Sequence, residues 1–200
     1  MQSKYNDINS ENPITVIDVG ALGGLSPRWA DFNFKAVLFE PNKEAFNALQ
    51  ADCPPNITTI NTALSDSRGE IPLHVCRKPA VTSVYRPDTD FLNKFNDPER
   101  FDVIETVKMK ADTLDNVLKN AGISDADHIK VDVQGHELPI LKGAAKTLKR
   151  VIGVEAEVEF IPMYKGQPLF SDLHPFMRRN GFELFKLGKM NHWKRKEKTP

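Results

Sequence analysis

The fold of this chain is decided by the stretch Val16-Ile17-Asp18-Val19-Gly20-Ala21-Leu22-Gly23-Gly24, an apolar run that ends in an acid and a glycine-rich turn. The apolar residues predict a buried strand, and the three glycines leave the backbone of the turn open to a ligand because they carry no Cβ. Ser26 and Pro27 follow as a helix N-cap and a first helical residue. The order strand, glycine turn, helix is typical of a nucleotide-binding α/β protein.

The positions of two acids separate the possible kinds of nucleotide site. A dinucleotide site has the spacing Gly-x-Gly-x-x-Gly with a carboxylate about 20 residues later, whereas here the spacing is Gly-x-x-Gly-Gly and Asp18 precedes it. A carboxylate at the turn repels a pyrophosphate but attracts the ammonium group of S-adenosylmethionine (SAM). A second apolar strand ends at Glu40, which is placed to accept both ribose hydroxyls. Together the acids favour SAM, with a structural turn or an NAD site as the alternatives.

Composition and charge exclude several other classes of protein. The chain has 200 residues, 40% of them hydrophobic and 27% charged, which predicts one soluble globular domain. Its formal net charge of zero argues against a nucleic-acid partner held by bulk electrostatics. Cys53 and Cys76 are its only cysteines, so neither a disulfide framework nor a zinc site is predicted. Without a signal core or an apolar membrane span, we expect a cytoplasmic protein in a reducing compartment.

Hydrophobic periodicity predicts a mostly parallel sheet with helices on both faces and ligands at the carboxyl ends of the strands. Strands are expected at residues 14–19, 35–39, 57–64, 71–76, 103–109, 128–133, 151–160 and 182–187. Helices are expected at residues 27–32, 43–51, 113–122, 137–149 and 171–180. The predicted divisions of the chain are a flexible leader (1–12), one domain (13–188) and a basic tail (189–200). The sheet of a SAM-dependent methyltransferase normally ends in an antiparallel strand after the one expected here at 182–187. We therefore expect either that this last strand is missing or that the chain is a shortened form.

Two late strands carry charge where a central parallel strand is usually apolar. Lys130, Asp132 and Gln134 share one face of the first strand, since strand side chains alternate. Glu155 and Glu157 lie in the second. A buried charge is costly unless it is paired. If the strands are neighbours, Lys130 can face one of these glutamates, either as part of a site or as an ion pair that only orders the sheet.

Methyl transfer to oxygen requires a group that removes the hydroxyl proton, and the turn after residue 133 offers candidates. The reaction is an in-line displacement, so the acceptor must also be aligned. His136 has a suitable intrinsic pKa, although a cap or surface role is the alternative. Asp132 is the competing base or positions the acceptor, and Glu137 can equally serve as a helix N-terminal charge. Asp132, His136 and Lys130 are therefore the candidate catalytic residues, and no ligand spacing requires a metal.

Several blocks in order resemble the FkbM family of SAM-dependent methyltransferases, over residues 14–187. These blocks are Asp18-Val19-Gly20-Ala21 with Gly24, Phe39-Glu40-Pro41, Ala63-Leu64-Ser65-Asp66, Thr113-Leu114-Asp115, Lys130-Val131-Asp132-Val133-Gln134-Gly135-His136-Glu137, Leu141-Lys142-Gly143-Ala144 and Glu155-Ala156-Glu157. The resemblance implies a Rossmann-like class I methyltransferase fold and transfer to hydroxyl oxygens of sugars or polyketides. It also implies a set of SAM-binding residues: Asp18, Gly20, Gly24, Glu40, Ser65 and Asp66, the last near the adenine.

One position departs from the family pattern. The family commonly has Asn after Gly-Ala, where this chain has Leu22, so an amide is missing from the contacts to the methionine end of the cofactor. The leading hypothesis is a SAM-dependent O-methyltransferase acting on a small molecule or glycan. The alternative is a non-catalytic SAM- or nucleotide-binding module of the same fold, and the glycine spacing disfavours an NAD-dependent enzyme.

Overall fold

The computed structural model describes residues 12–51, 53–188, 190 and 193–196. The chain divides into two compact units, a first unit of residues 1–69, 110–133 and 139–156 and a second unit of residues 70–109, 134–138 and 157–200. The strands are β1 (Ile14–Val19), β2 (Phe34–Phe39), β3 (Ile57–Ile60), β4 (Ala63–Leu64), β5 (Gly69–Cys76), β6 (Val103–Asp112), β7 (His128–Val131) and β8 (Gly153–Ala156). The α-helices are α1 (Lys43–Ala51), α2 (Thr89–Leu92), α3 (Leu114–Asn120), α4 (Glu137–Lys142) and α5 (Phe170–Arg179). Short 3₁₀ turns lie at Pro27–Trp29, Pro79–Val81, Pro98–Phe101 and Thr147–Lys149.

The first unit contains a five-stranded, fully parallel sheet in the order β3-β2-β1-β7-β8. Its central strand β1 is buried from Thr15 to Val19, as is expected of a parallel strand covered on both sides. Ile17, Ile129 and Val131 are completely buried. The chain builds outward from β1 in one direction and then from β7 in the other, so the strand order reverses between β1 and β7. At such a reversal the loops that follow the strands diverge and leave a crevice. The predicted α/β fold with a mostly parallel sheet is confirmed.

Residues 57–64 form two strands, so the prediction of one continuous strand was wrong. β3 pairs with β2, whereas β4 pairs with the end of β6 in a separate three-stranded sheet of order β4-β6-β5. The change of partner occurs at Asn61, whose side-chain amide donates to the carbonyl oxygens of Glu40 (2.8 Å) and Pro41 (3.1 Å). These bonds hold the chain at the end of β2 and take it out of the sheet.

The predicted strand at residues 182–187 is absent, since residues 182–188 form no regular structure. The predicted strand at 151–160 is also shorter and consists of β8 alone. The local sequence pattern is compatible with a strand, but a strand needs a partner to satisfy its backbone hydrogen bonds. Phe185 is accordingly 99% exposed. In the described part of the chain, the central sheet has no antiparallel strand beyond β8.

The core of the second unit is a cluster of five buried residues, Cys76, Val81, Leu92, Phe101 and Tyr164. Trp193, near the carboxyl terminus, packs against it. The backbone next to this tryptophan is also held, since Asn96 N donates to Lys194 O at 3.1 Å and Lys196 N donates to Lys94 O at 3.0 Å. The tail residues 193–196 are therefore part of the folded second unit.

Replacing Trp193 by Ala should lower the free energy of unfolding by about 2–4 kcal/mol. The indole lies 5.4 Å from the Phe101 ring and 4.0 Å from the Arg100 guanidinium, measured between ring centroids or from the ring centroid to Cζ. Its removal therefore costs both apolar contact and a cation–π interaction. Urea unfolding followed by circular dichroism measures the effect. The exposed Phe185→Ala is the matched control and should change stability by less than about 0.5 kcal/mol; equal effects of the two substitutions would contradict the packing role.

The leader, domain and tail boundaries remain predictions, and residues 1–11 of the leader lie outside the described residues, as do residues 189, 191–192 and 197–200 of the tail. None of the helices within the described ranges has the length and apolar character that crossing a membrane requires.

Candidate active site

The turn after β1 separates two kinds of glycine. Gly20 has φ +81°, and a Cβ there would collide with the carbonyl oxygen of Asp132 at the end of β7. Gly23 has φ +87°, and a Cβ there would meet nothing within 4 Å. Gly24 has φ +89°, and a Cβ added there would lie 3.8 Å from a Leu49 methyl carbon, an ordinary contact distance. The Asp132 backbone thus occupies the space that a Cβ on Gly20 would need. The open part of the turn is around Gly23.

Asp18 is buried, with 4% of its surface exposed, and has a cation beside it within the sheet. It is in register with Lys130 on β7, and its Oδ1 lies 3.1 Å from the Lys130 Nζ. The same ammonium donates to the Gly20 carbonyl oxygen at 3.3 Å. Burial raises the pKa of the Asp18 carboxyl, and the neighbouring Lys130 charge opposes that rise. The pair therefore links the end of β1, the glycine turn and β7.

Lys130 was expected to face Glu155 or Glu157, and the structure assigns the ion pair differently. Glu155 is in register with Lys130 on the neighbouring strand β8. Its carboxylate instead pairs with the Arg28 guanidinium at 2.6 Å. Lys130 pairs with Asp18 on β1 instead. This ion pair offsets the desolvation cost of both charges, and Asp18 is itself buried and requires a partner.

Asp132 follows β7 at the reversal of strand order and remains accessible. Its side chain is 45% exposed, and its Oδ2 lies 3.7 Å from the Lys130 Nζ. The ammonium of Lys130 therefore lies between one buried carboxylate and one that faces solvent. Asp18, Gly20, Lys130 and Asp132 form a single cluster in the first unit.

Glu40 ends β2, next to β1, and is 6% exposed. Its Oε1 accepts a hydrogen bond from Asn42 N at 2.9 Å. Asn42 in turn caps α1, because its Oδ1 accepts from Ala45 N at 2.9 Å. Burial raises the pKa of the Glu40 carboxyl, and the bond from Asn42 opposes the rise. A carboxylate kept in a desolvated position at the end of a strand is a candidate ligand-binding group.

Ser65 and Asp66 lie in the loop after β4. Ser65 is buried, and its backbone N donates to Asp112 O at 3.0 Å. A Cβ on Gly143 would collide with the Ser65 carbonyl oxygen, so the two backbones are in direct contact. Asp66 is exposed, and its Oδ1 accepts from Ser67 Oγ at 3.0 Å. Ser65 is therefore fixed by the fold, whereas the Asp66 carboxylate faces solvent.

The second unit holds the turn that connects β7 to α4, and this turn has an unusual backbone. Gln134 has φ +57° and the following Gly135 has φ +99°. A left-handed conformation is uncommon for glutamine and persists only where the surroundings hold it. The Gln134 Nε2 donates to Glu157 Oε2 at 2.5 Å, and its Oε1 lies 3.3 Å from the Tyr164 hydroxyl. Burial raises the pKa of Tyr164, which keeps this hydroxyl neutral.

His136 and Glu137 are both buried at this turn, with exposures of 8% and 3%. The His136 ring packs against Tyr85, with ring centroids 5.6 Å apart. Glu137 accepts a hydrogen bond from Gly135 N through Oε1 at 3.2 Å, so it closes the turn as well as starting α4. Tyr85 was not identified from the sequence, because its segment offers no motif. The Gln134-Gly135 pair is the sequence signal that could have revealed the strained turn.

The described residues contain no group of three or more His, Cys, Asp or Glu side chains arranged to hold a metal ion.

A parallel sheet whose strand order reverses beside a glycine turn, with acids at the ends of two adjacent strands, defines a Rossmann-like α/β protein. The sequence profile of the Methyltransferase FkbM domain matches residues 18–184. The chain therefore belongs to the FkbM methyltransferase family, as its motifs predicted. Comparisons with curated proteins and with solved structures give no significant match.

Proposed function

We propose that this protein is a SAM-dependent methyltransferase that methylates a hydroxyl oxygen of a sugar, a glycan or a polyketide-like small molecule. The observation that carries the proposal is Glu40, a buried carboxylate at the end of β2, the strand next to β1, in a chain of a methyltransferase family. The proposal includes a reducing, cytoplasmic setting, with which the free Cys53 and Cys76 agree.

The residues of the first unit suit SAM in charge and in shape. The open backbone at Gly23 allows a ligand to approach the turn, and the Glu40 carboxylate suits the two ribose hydroxyls. The Asp18 charge is matched by Lys130, so Asp18 serves the cofactor by holding the turn through the Lys130 bond to the Gly20 carbonyl. The exposed Asp132 carboxylate is available to a cationic or hydroxyl-bearing ligand.

Bound SAM supplies an electrophilic methyl group, and the chain must orient the acceptor hydroxyl and remove its proton. We assign the removal of the hydroxyl proton to His136, with Asp132 as the competing base. The Lys130 ammonium, 3.7 Å from the Asp132 Oδ2, helps to hold that carboxylate in place. Ser65 and Asp66 complete the cofactor site on the adenine side.

Titration calorimetry with SAM tests the cofactor site. Glu40→Gln should weaken SAM binding by about 10- to 100-fold, because the hydroxyls lose charge-assisted hydrogen bonds. Glu44→Gln, an exposed acid in the first turn of α1, is the matched control and should bind like the unmodified protein. Absence of binding to the unmodified protein would overturn the proposal.

Glu40→Gln should also stabilise the ligand-free protein at pH 7. Since burial raises the pKa of Glu40, the folded state holds this proton to higher pH than the unfolded chain does. Its contribution to the free energy of unfolding is therefore fully present below the unfolded-state pKa and is lost as the pH rises through the folded-state pKa. A neutral glutamine avoids that loss. We therefore expect the free energy of unfolding of Glu40→Gln to exceed that of the unmodified protein by about 1 kcal/mol at pH 7, and by less as the pH falls towards about 4. Urea unfolding at both pH values measures it; a variant less stable than the unmodified protein at pH 7 contradicts it.

The second candidate function is a non-catalytic SAM-binding module, which Leu22 favours. This leucine is 59% exposed in the cofactor turn, where the family commonly has an amide. The module predicts SAM binding without methyl transfer to any compound in a broad panel of hydroxyl acceptors. Methylated product from one acceptor, detected by mass spectrometry, would exclude it.

A further inference from the structure

The strained turn at Gln134 is tied to a segment of the chain that no motif marks. Ser83 follows the 3₁₀ turn Pro79–Val81 and is 1% exposed. Its hydroxyl donates to the Gln134 carbonyl oxygen at 2.6 Å. The two residues are 51 positions apart in the sequence. Because the Ser83 hydroxyl is buried, breaking this bond would leave it without a partner, which is costly.

The same hydroxyl makes a second contact in the other direction. Ser83 Oγ accepts a hydrogen bond from Tyr85 N at 3.1 Å. The Ser83 backbone is fixed as well, since it exchanges hydrogen bonds of 2.8 and 3.4 Å with His74 on β5. One buried hydroxyl therefore connects the backbone of Tyr85 to the backbone of the turn, from a position that β5 holds.

This connection sets the relation between two side chains. Tyr85 lies two residues after Ser83, and His136 lies two residues after Gln134. Their rings are in contact, with centroids 5.6 Å apart and planes inclined at 59°. Tyr85 is only half-buried, whereas His136 is 8% exposed. The tyrosine is thus the solvent-facing member of the pair and covers the imidazole.

We propose that Tyr85 orients the acceptor at His136, and that Ser83 is the positioning residue that holds Tyr85 against the imidazole. A partly exposed tyrosine offers an acceptor both an apolar ring face and a hydroxyl, and fixing it beside a proton-accepting group restricts how a hydroxyl compound approaches. This inference rests on the proposed function for the role of His136. The geometric part, Ser83 to Tyr85 to His136, is independent of any cofactor.

Chemical modification of His136 with diethyl pyrocarbonate, followed by peptide mass spectrometry, tests the geometric part without cofactor or acceptor. His174 on α5 belongs to the same unit and serves as an internal reference. Tyr85→Ala and Ser83→Ala should each make His136 react severalfold faster relative to His174, since the ring that covers it is removed or released. Tyr85→Phe keeps the ring and should leave the His136 rate unchanged.

Two outcomes overturn the proposal. An unchanged His136 rate in Tyr85→Ala shows that the ring does not cover the imidazole. An unchanged rate in folded Ser83→Ala shows that the hydroxyl does not position the ring. If Ser83→Ala unfolds the unit, the modification rate of His174 also rises, and Ser83→Thr, which retains a hydroxyl, is measured instead. A His136 rate like that of the unmodified protein then supports the positioning role of the Ser83 hydroxyl. A His136 rate that is raised relative to His174 overturns it.

Kinetics with an acceptor separate this inference from the proposed function. Tyr85→Ala should lower kcat/KM for the acceptor by about 100-fold, because an acceptor hydroxyl that is no longer held in the reactive orientation reacts more slowly. Tyr85→Phe should recover most of that loss, and the SAM dissociation constant should be the same in all variants. If the unmodified protein does not bind SAM, the proposed function is wrong. Normal SAM binding with equal kcat/KM for Tyr85→Ala and the unmodified protein defeats only the role of Tyr85.

Discussion

Replacing Gly20 by Ala is expected to destabilise the protein by about 3–5 kcal/mol, a large part of the total stability of an average domain. The new Cβ would collide with the carbonyl oxygen of Asp132, and φ at this position is +81°. Relief would require β1 and β7 to separate. That separation is opposed by the hydrogen bond that Asp132 N donates to Val19 O at 3.0 Å. We therefore expect a much lower urea midpoint than that of the unmodified protein.

The matched control for this substitution is Gly23→Ala in the same turn. Gly23 has a similar φ of +87°, but the added Cβ would lie in open space. Its cost is therefore limited to the left-handed backbone, about 1–2 kcal/mol. Urea unfolding of the two variants separates the effect of the collision, present only in Gly20→Ala, from that of backbone strain, present in both. Equal unfolding midpoints would show that the collision with Asp132 does not destabilise the protein.

The second large effect is expected on catalysis. His136→Asn should lower kcat by about 10²- to 10⁴-fold, the usual contribution of a positioned general base. The SAM dissociation constant should not change, because His136 is not among the cofactor residues that we propose. The measurement is the rate of methylated product formation with saturating SAM and an acceptor found in the hydroxyl panel.

His174→Asn is the control for the loss of an imidazole in the same unit, since His174 stacks on Phe170 at 5.2 Å and has no proposed role in the reaction. It should keep the rate of the unmodified protein. If His136→Asn also keeps that rate, the assignment of the base is wrong. A loss of rate in Asp132→Asn with unchanged SAM binding would then move the base to Asp132.

Polar contacts within the first unit show where prediction from local pattern ends. The alternation of apolar and charged residues in β7 predicted that Lys130 needs a buried partner, and this is correct. The identity of the partner depends on the order of strands, because Lys130 has β1 on one side and β8 on the other. Asp18 is the more deeply buried of the two acids and takes the ion pair, while Glu155 pairs with Arg28.

Strand boundaries show the same limit. Residues 57–64 and 182–187 have strand-forming patterns, yet the first segment divides at Asn61 and the second forms no strand. In both cases the outcome depends on hydrogen-bond partners elsewhere in the chain. A β pattern describes side chains that suit a pleated surface, whereas pairing decides whether the strand forms.

The sequence by itself determined the α/β class, the glycine turn, the acids at two successive strand ends and the family, since periodicity, glycine spacing and motif order are local properties. Only the tertiary structure decided that Gly20 makes room for Asp132, that Asp18 pairs with Lys130 and that Ser83 joins Tyr85 to the turn before His136. Gly20 and Asp132 are 112 positions apart, as are Asp18 and Lys130, and Ser83 lies 51 positions from Gln134. Because strand order and buried hydrogen bonding select such partners from the whole chain, no local pattern specifies them.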